Sequence, residues 1–264
     1  MMNINTIAKM LSAIAFLIMV SINALANLLP LNGVTTGQLS DSYPTLMTPS
    51  GGAFLIWTFI YAFLVIYTVD QLGLSKSKRK LSPNLANYIR GFYIVSCFCN
   101  AAWIFAWHFR YIALSLVLMI ALFVCLYFNN KILYTEELTL KEKLLIRLPF
   151  GVYFGWISAA TAANAAVLFV SLRWTGYGIP DYIWAIIGIL VILMIASYIT
   201  LKYSSLAYAV AVIWTFLGLL AKHASKAELN GKYPMIVTTL ILCIIVMIAE
   251  IGFCLYRKRK NGFI

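Results

Sequence analysis

The sequence predicts an all-α fold, a polytopic membrane bundle of about eight transmembrane helices. Three observations carry this. Of the 264 residues, 63% are hydrophobic and 11% charged, where a soluble domain has about 45–50% and about 25%. The apolar residues fall into runs close to the ~20 residues that cross a hydrocarbon core. They lie at about 8–30, 51–72, 88–108, 111–130, 144–172, 182–200, 205–221 and 234–256. The charges gather between these runs, and no stretch is long enough for a soluble domain.

The first run could be a signal peptide, with Lys9 as its basic start and Ala24-Leu25-Ala26 as a cleavage site. The apolar run continues past that point to Leu31, and Asn23 and Asn27 lie one turn apart, which favours a retained helix. The connection 31–50 is the longest non-basic one. Its Gly33, Gly37, Pro44 and Pro49 predict irregular structure over most of its length. Lying over a helical bundle, it could act as a lid.

The second run places Trp57 and Tyr61 four residues apart. It ends at Asp70, beside a basic loop where the carboxylate is expected to reach water. The third run places Cys97, Asn100, Trp103 and Trp107 on one face, with His108 and Arg110 at its end. In the fifth, Gly151, Gly155, Ala159 and Ala163 recur every fourth residue, a small-residue ridge where another helix can approach closely. Trp156, Ala160 and Asn164 form a second row beside it, fit for a pocket wall. Trp107 and Trp174, near span ends, suit interface anchors.

The net charge of +12 points to orientation in a membrane rather than to nucleic acid. With eight spans, Lys9, the 76–80 and 131–147 clusters, Arg90, Lys202 and the Arg257–Lys260 tail put fifteen of the twenty Lys and Arg on one side. The positive-inside rule then places both termini in the cytoplasm, and a bacterial plasma membrane is the expected location.

The five cysteines, Cys97, Cys99, Cys125, Cys243 and Cys254, fall in or beside apolar runs and read as small buried residues. No HExxH, GxSxG or inward row of acids and histidines is present, so no enzyme activity, metal site or required cofactor is expected. Glu250 is the one acid inside a span. It suits interfacial pairing or, more sharply, a proton or substrate site.

Three segments resemble the TspO/MBR family of tryptophan-rich sensory proteins. TPSGGAFLIWTFIY supplies Phe54, Trp57 and Tyr61. CFCNAAW supplies Asn100 and Trp103. PFGVYFGWISAATAAN supplies Pro149, Trp156 and Asn164. The resemblance covers about residues 8–172 and implies a five-helix bundle with a pocket for porphyrin-like ligands. The implied ligand-binding positions are Trp57, Tyr61, Asn100, Trp103, Trp156, Ala160 and Asn164.

The sequence departs from that pattern in two places. The Trp-x-Pro-Pro loop of the family is only approximated by Tyr43-Pro44 and Pro49, and Pro149 lies seven residues before Trp156. On this reading residues 1–172 are the TspO-like bundle. Residues 173–264 add three helices and a basic tail that compact members lack, and these helices could cover a dimerising surface.

The expected function is a membrane binding or sensory protein for a planar hydrophobic ligand, tetrapyrrole (porphyrin or haem) or sterol-like. The alternatives are a small-solute permease that uses Glu250, or a non-catalytic structural or regulatory subunit. A homodimer is compatible with each. Two segments, Leu85–Arg90 and Val124–Lys131, also fit a sterol motif that many membrane sequences match by chance.

Overall fold

Each predicted span is one helical crossing in the computed structural model, which describes residues 4–29, 31–74 and 81–260. Lys76, Lys78, Arg79 and Lys80 of the basic loop lie outside the described residues. In chain order the helices are α1 (Ile4–Leu28), α2 (Thr36–Asp41), α3 (Ile56–Val69), α4 (Pro83–His108), α5 (Ile112–Thr135), α6 (Leu140–Glu142), α7 (Leu148–Ser171), α8 (Asp181–Tyr203), α9 (Leu206–Ala224) and α10 (Pro234–Lys260). Short 3₁₀ and π segments extend several of them, giving eight helices among the described residues that are long and apolar enough to span a membrane. The protein is a multi-pass all-α membrane bundle. Large apolar side chains such as Leu17, Val117 and Met194 are exposed around its girth, as a lipid-facing surface requires.

Local sequence explains the helix ends. Ser82 caps α4 by accepting the Leu85 N–H, with Pro83 in the first turn, where its missing N–H costs nothing. The fifth crossing runs from Leu140 to Ser171. It opens on a Thr139/Glu142 capping box and passes through a π turn over Lys143–Arg147. Pro149 follows that turn; it has no N–H to donate and would crowd a regular preceding turn, so the helix widens there.

The long connection is more ordered than its glycines and prolines suggest. It contains α2, fixed by a reciprocal capping box between Thr35 and Gln38. The sequence T-x-x-Q carries that signal, and it outweighs Gly37 inside the turn.

Helix α7 lies at the centre, against α3, α5 and α9, while α1 packs on α4 and α10 on α8 and α9. Phe16, Met19 and Ala26 of α1 are buried, so this helix is built into the bundle. The Gly/Ala ridge divides along its length. A Cβ at Gly155 would lie 2.6 Å from the Tyr208 carbonyl oxygen and 2.8 Å from Ala211 Cβ, and one at Gly151 would lie 3.0 Å from Ala207 Cβ. Only glycine lets α7 and α9 come this close. Ala159 and Ala163, further along the same ridge, line a cavity instead.

One other expectation is corrected. Asp70 is only 6% exposed, so it does not open to water at its helix end. Cys99 and Cys125 are half-buried, while Cys97, Cys243 and Cys254 are buried.

Candidate functional site

A slot opens where α3, α4, α7, α8 and α9 diverge beneath the 31–50 connection. Aromatic rings make its walls. Trp57 meets Trp156 edge to face at 6.2 Å between centroids, and Phe54 meets Trp156 at 6.0 Å. Trp103 and Trp107 stack at 5.6 Å, so Trp107 is a wall residue rather than an interface anchor. The cavity between the walls is about 50 Å³. The slot is therefore thin, with room for a few waters as it stands. A large flat ligand has to part the walls.

Five of the seven sequence-predicted positions, Trp57, Trp103, Trp156, Ala160 and Asn164, line this slot. The other two lie apart from its lining. Asn100 donates to Tyr153 Oη at 2.9 Å and accepts from Asn23 Nδ2 at 2.7 Å, so its amide ties α1, α4 and α7 together. Tyr61 stacks under Trp57 at 5.4 Å, and its buried hydroxyl has no partner in the protein.

The amide in the slot is also engaged. Asn164 Oδ1 accepts from Trp103 Nε1 at 2.9 Å, and its Nδ2 donates to Ser115 Oγ at 3.0 Å. Two lining atoms remain without a partner, the Trp156 Nε1–H and the Thr48 hydroxyl. A buried polar group left unpaired costs free energy unless something occupies the site. The slot thus offers one unpaired N–H donor and one unpaired hydroxyl on a mostly apolar lining, in which Thr36, Ser40, Asn164 and Thr215 are the other polar side chains and none is charged.

The connection 31–50 forms the roof. Thr36 and Ser40 of α2, with Met47, Thr48 and Pro49, face the slot. Sequence reasoning placed no ligand-facing residue here, although the Thr35/Gln38 capping signal was available. The roof is held at both ends by the protein's two histidines. His108, fully buried, bonds Leu31 O through Nδ1 and Thr36 Oγ1 through Nε2, both at 3.0 Å. His223 Nε2 bonds Leu46 O at 3.0 Å, and Lys222 pairs with Asp41 at 3.2 Å.

Helices α8 and α9 also contribute walls, through Ile192, Thr215 and Leu219. Helix α9 braces the start of the second crossing as well. Trp214 Nε1 donates to Ala53 O at 2.8 Å, and a Cβ at Gly218 would lie 2.5 Å from Ala53 Cβ. The slot was expected among the first five crossings alone; the later helices close one side of it. Neither pairing nor apolar periodicity within those helices marks Ile192, Thr215 or Leu219 in the sequence.

Arg90, which completes one sterol-motif match, points inward and bonds Gln71, Asn87 and Asn5. It is not available to a lipid on the surface. Glu250 is not among the slot residues; its Oε2 is buried without a partner.

The family model described as TSPO-like protein matches residues 9–253, running from α1 into α10. No curated protein and no solved structure matches the chain.

Proposed function

This chain belongs to the TSPO-like protein family, and from that premise we propose that it is a non-catalytic membrane binding or sensory protein for a flat, largely apolar ligand. The observation that carries this reading is the indole-walled slot with its unpaired Trp156 N–H and Thr48 hydroxyl. Apolar walls with a few fixed polar atoms are the usual make-up of a small-molecule site. The unpaired N–H favours a ligand with an acceptor atom within its flat body. A porphyrin fits that description, with its propionates left outside the charge-free lining; a sterol-like ketone is the other class. Entry requires the walls or the roof to move, which suits a binding event that is sensed.

The test is quenching of intrinsic fluorescence on titration with protoporphyrin in detergent, alongside a sterol ketone. Trp156→Phe keeps an aromatic ring, though a smaller one, and removes the donor. It is expected to weaken binding roughly fivefold to tenfold, the worth of one hydrogen bond of about 1–1.5 kcal/mol. Unchanged affinity in Trp156→Phe and in Ala160→Leu together removes the site assignment.

A second reading, a small-solute permease, is favoured by Glu250 alone, since an intramembrane carboxylate oxygen without a partner often marks a path. Proteoliposome flux that is lost in Glu250→Gln supports it, and flux unaffected by that change removes Glu250 from any path.

A further inference from the structure

The second half of the roof is tied down at both ends and fixed in between by a hydrogen bond from one histidine. Lys222 of α9 pairs with Asp41 at 3.2 Å, and Ser50 N donates to Gly218 O at 3.0 Å. Between these ties, the His223 Nε2 bond to Leu46 O joins the roof to α9. Among the described residues, the other hydrogen bonds of residues 43–48 stay within the roof: Tyr43 N to Ser40 O, Thr45 N to Tyr43 O and Met47 N to Thr45 Oγ1. Met47, next to Leu46, is wedged against α8, where a Cβ at Gly188 would lie 3.0 Å from Met47 Cε. Met47 and Thr48 both line the slot.

The two histidines of the roof differ in what a proton does to them. A carbonyl oxygen only accepts, so the ring nitrogen that bonds it carries hydrogen. His108 therefore carries its hydrogen on Nδ1, facing Leu31 O, and in the neutral ring its Nε2 accepts from the Thr36 hydroxyl. A second proton makes Nε2 a donor, the Thr36 hydroxyl rotates, and both bonds survive. His223 carries its hydrogen on Nε2, facing Leu46 O, and its Nδ1 is buried with no partner. A second proton there creates a charged N–H without an acceptor on a fully buried ring, a costly state. The charges around it give no relief. Lys222 adds a like charge, and Asp41 and Glu228 pair with Lys222 at 3.2 and 3.9 Å. From the α10 side Tyr233 meets the ring edge to face at 6.0 Å, with Lys232 Nζ 5.4 Å from the Tyr233 centroid and Tyr182 of α8 beyond it at 6.4 Å.

We propose that His223 is an acid-released latch on the slot. Once protonated, the ring finds an acceptor for Nδ1 by leaving Leu46 for water. Residues 43–48 then lift and take Met47 and Thr48 out of the lining. His108 keeps both its bonds, so the first half of the roof stays in place while the second half swings. The latch holds at neutral pH and is lost as the pH falls below the ordinary imidazole value of about 6.5. The latch rests on reading the slot as the ligand site, and it admits that same flat ligand faster in acid.

The test is hydrogen exchange of the ligand-free full chain in detergent at about pH 7.5 and about pH 5.5, either side of the imidazole value, corrected for intrinsic rates and read on residues 42–49. Opening tied to one proton with a midpoint of about 6.5 raises the open fraction about tenfold between these conditions, and protection is expected to fall by that factor. His223→Gln keeps a donor for Leu46 O and takes up no proton, so its protection is expected to be equal at both. His108→Gln and Asp41→Asn are expected to keep the response. Nitrogen-15 histidine NMR of the parent chain, which needs no variant, is expected to show hydrogen on Nε2 of His223 and on Nδ1 of His108 at neutral pH. The latch is overturned by no response in the parent chain, a response that survives His223→Gln, a response lost in His108→Gln or Asp41→Asn, or the opposite tautomers. A second arm follows fluorescence quenching by a sterol ketone, which does not titrate in this range. Its association rate is expected to rise at the lower pH in the parent chain and not in His223→Gln. A pH-dependent roof with an unchanged association rate overturns the latch as control of the slot. No binding under either condition removes the slot reading instead, and the exchange arm still decides whether His223 holds the roof.

Discussion

Trp103 on α4 donates its indole N–H to Asn164 Oδ1 on α7 at 2.9 Å, and the same amide donates to Ser115 Oγ on α5 at 3.0 Å. One side chain thus joins three helices at the wall of the slot. Such bonds inside a membrane bundle contribute about 0.6–2 kcal/mol. Asn164→Leu is therefore expected to lower Tm in detergent by a few degrees. Trp103→Phe is expected to do the same, and the double variant to lose less than the sum of the two. Additive losses in that cycle would show that the bond contributes nothing.

Trp156 behaves oppositely, because its N–H has no partner in the protein. Trp156→Phe is expected to lower Tm less than Trp103→Phe does, since it trims the ring but breaks no hydrogen bond, while weakening ligand binding. A Tm loss as large as that of Trp103→Phe contradicts a free donor.

Ala160 lines the thin slot and is expected to accept a larger apolar side chain only at the slot's expense. Ala160→Leu should hold or raise Tm, as cavity-filling changes commonly do. It should also reduce porphyrin quenching more than tenfold, the price of filling the space the ring would enter.

At Gly155 the direction is fixed by backbone. The nearest atom to an added Cβ is the Tyr208 carbonyl oxygen at 2.6 Å, which cannot swing away as a side chain can. Gly155→Ala is expected to cost about 1–3 kcal/mol through overpacking. Gly252→Ala, on α10 with nothing within 4 Å, is expected to be neutral or slightly stabilising. Thermal unfolding of the two variants side by side decides it.

The roof supplies a fifth test. His108 bonds both Leu31 and Thr36, so His108→Ala frees the first half of the roof. His223→Ala frees the second half at Leu46. Limited proteolysis within residues 31–50 is expected to accelerate in both variants, without loss of helical circular dichroism. Equal cleavage rates in the parent chain and both variants would show that neither histidine holds the roof.

The sequence by itself determined the fold class and the eight crossings, which are properties of local composition, and the family, which is carried by short motifs at fixed spacing. A helix in hydrocarbon must satisfy its own backbone and show apolar side chains outward, so its limits can be read from hydropathy alone. The Trp57/Tyr61 and Trp156/Asn164 spacings likewise fix which side chains share a helix face. Tertiary structure decided which of those faces meet. It set Asn100 to tying α1, α4 and α7 while Asn164 borders the slot, although both are asparagines near a tryptophan. It split one Gly/Ala ridge between close packing at Gly155 and a cavity wall at Ala163, since only the divergence of α9 from α7 separates them. It brought Ile192, Thr215 and Leu219 to the slot and turned the 31–50 connection into its roof. These are contacts between distant segments, and no periodicity within a single helix encodes its neighbour.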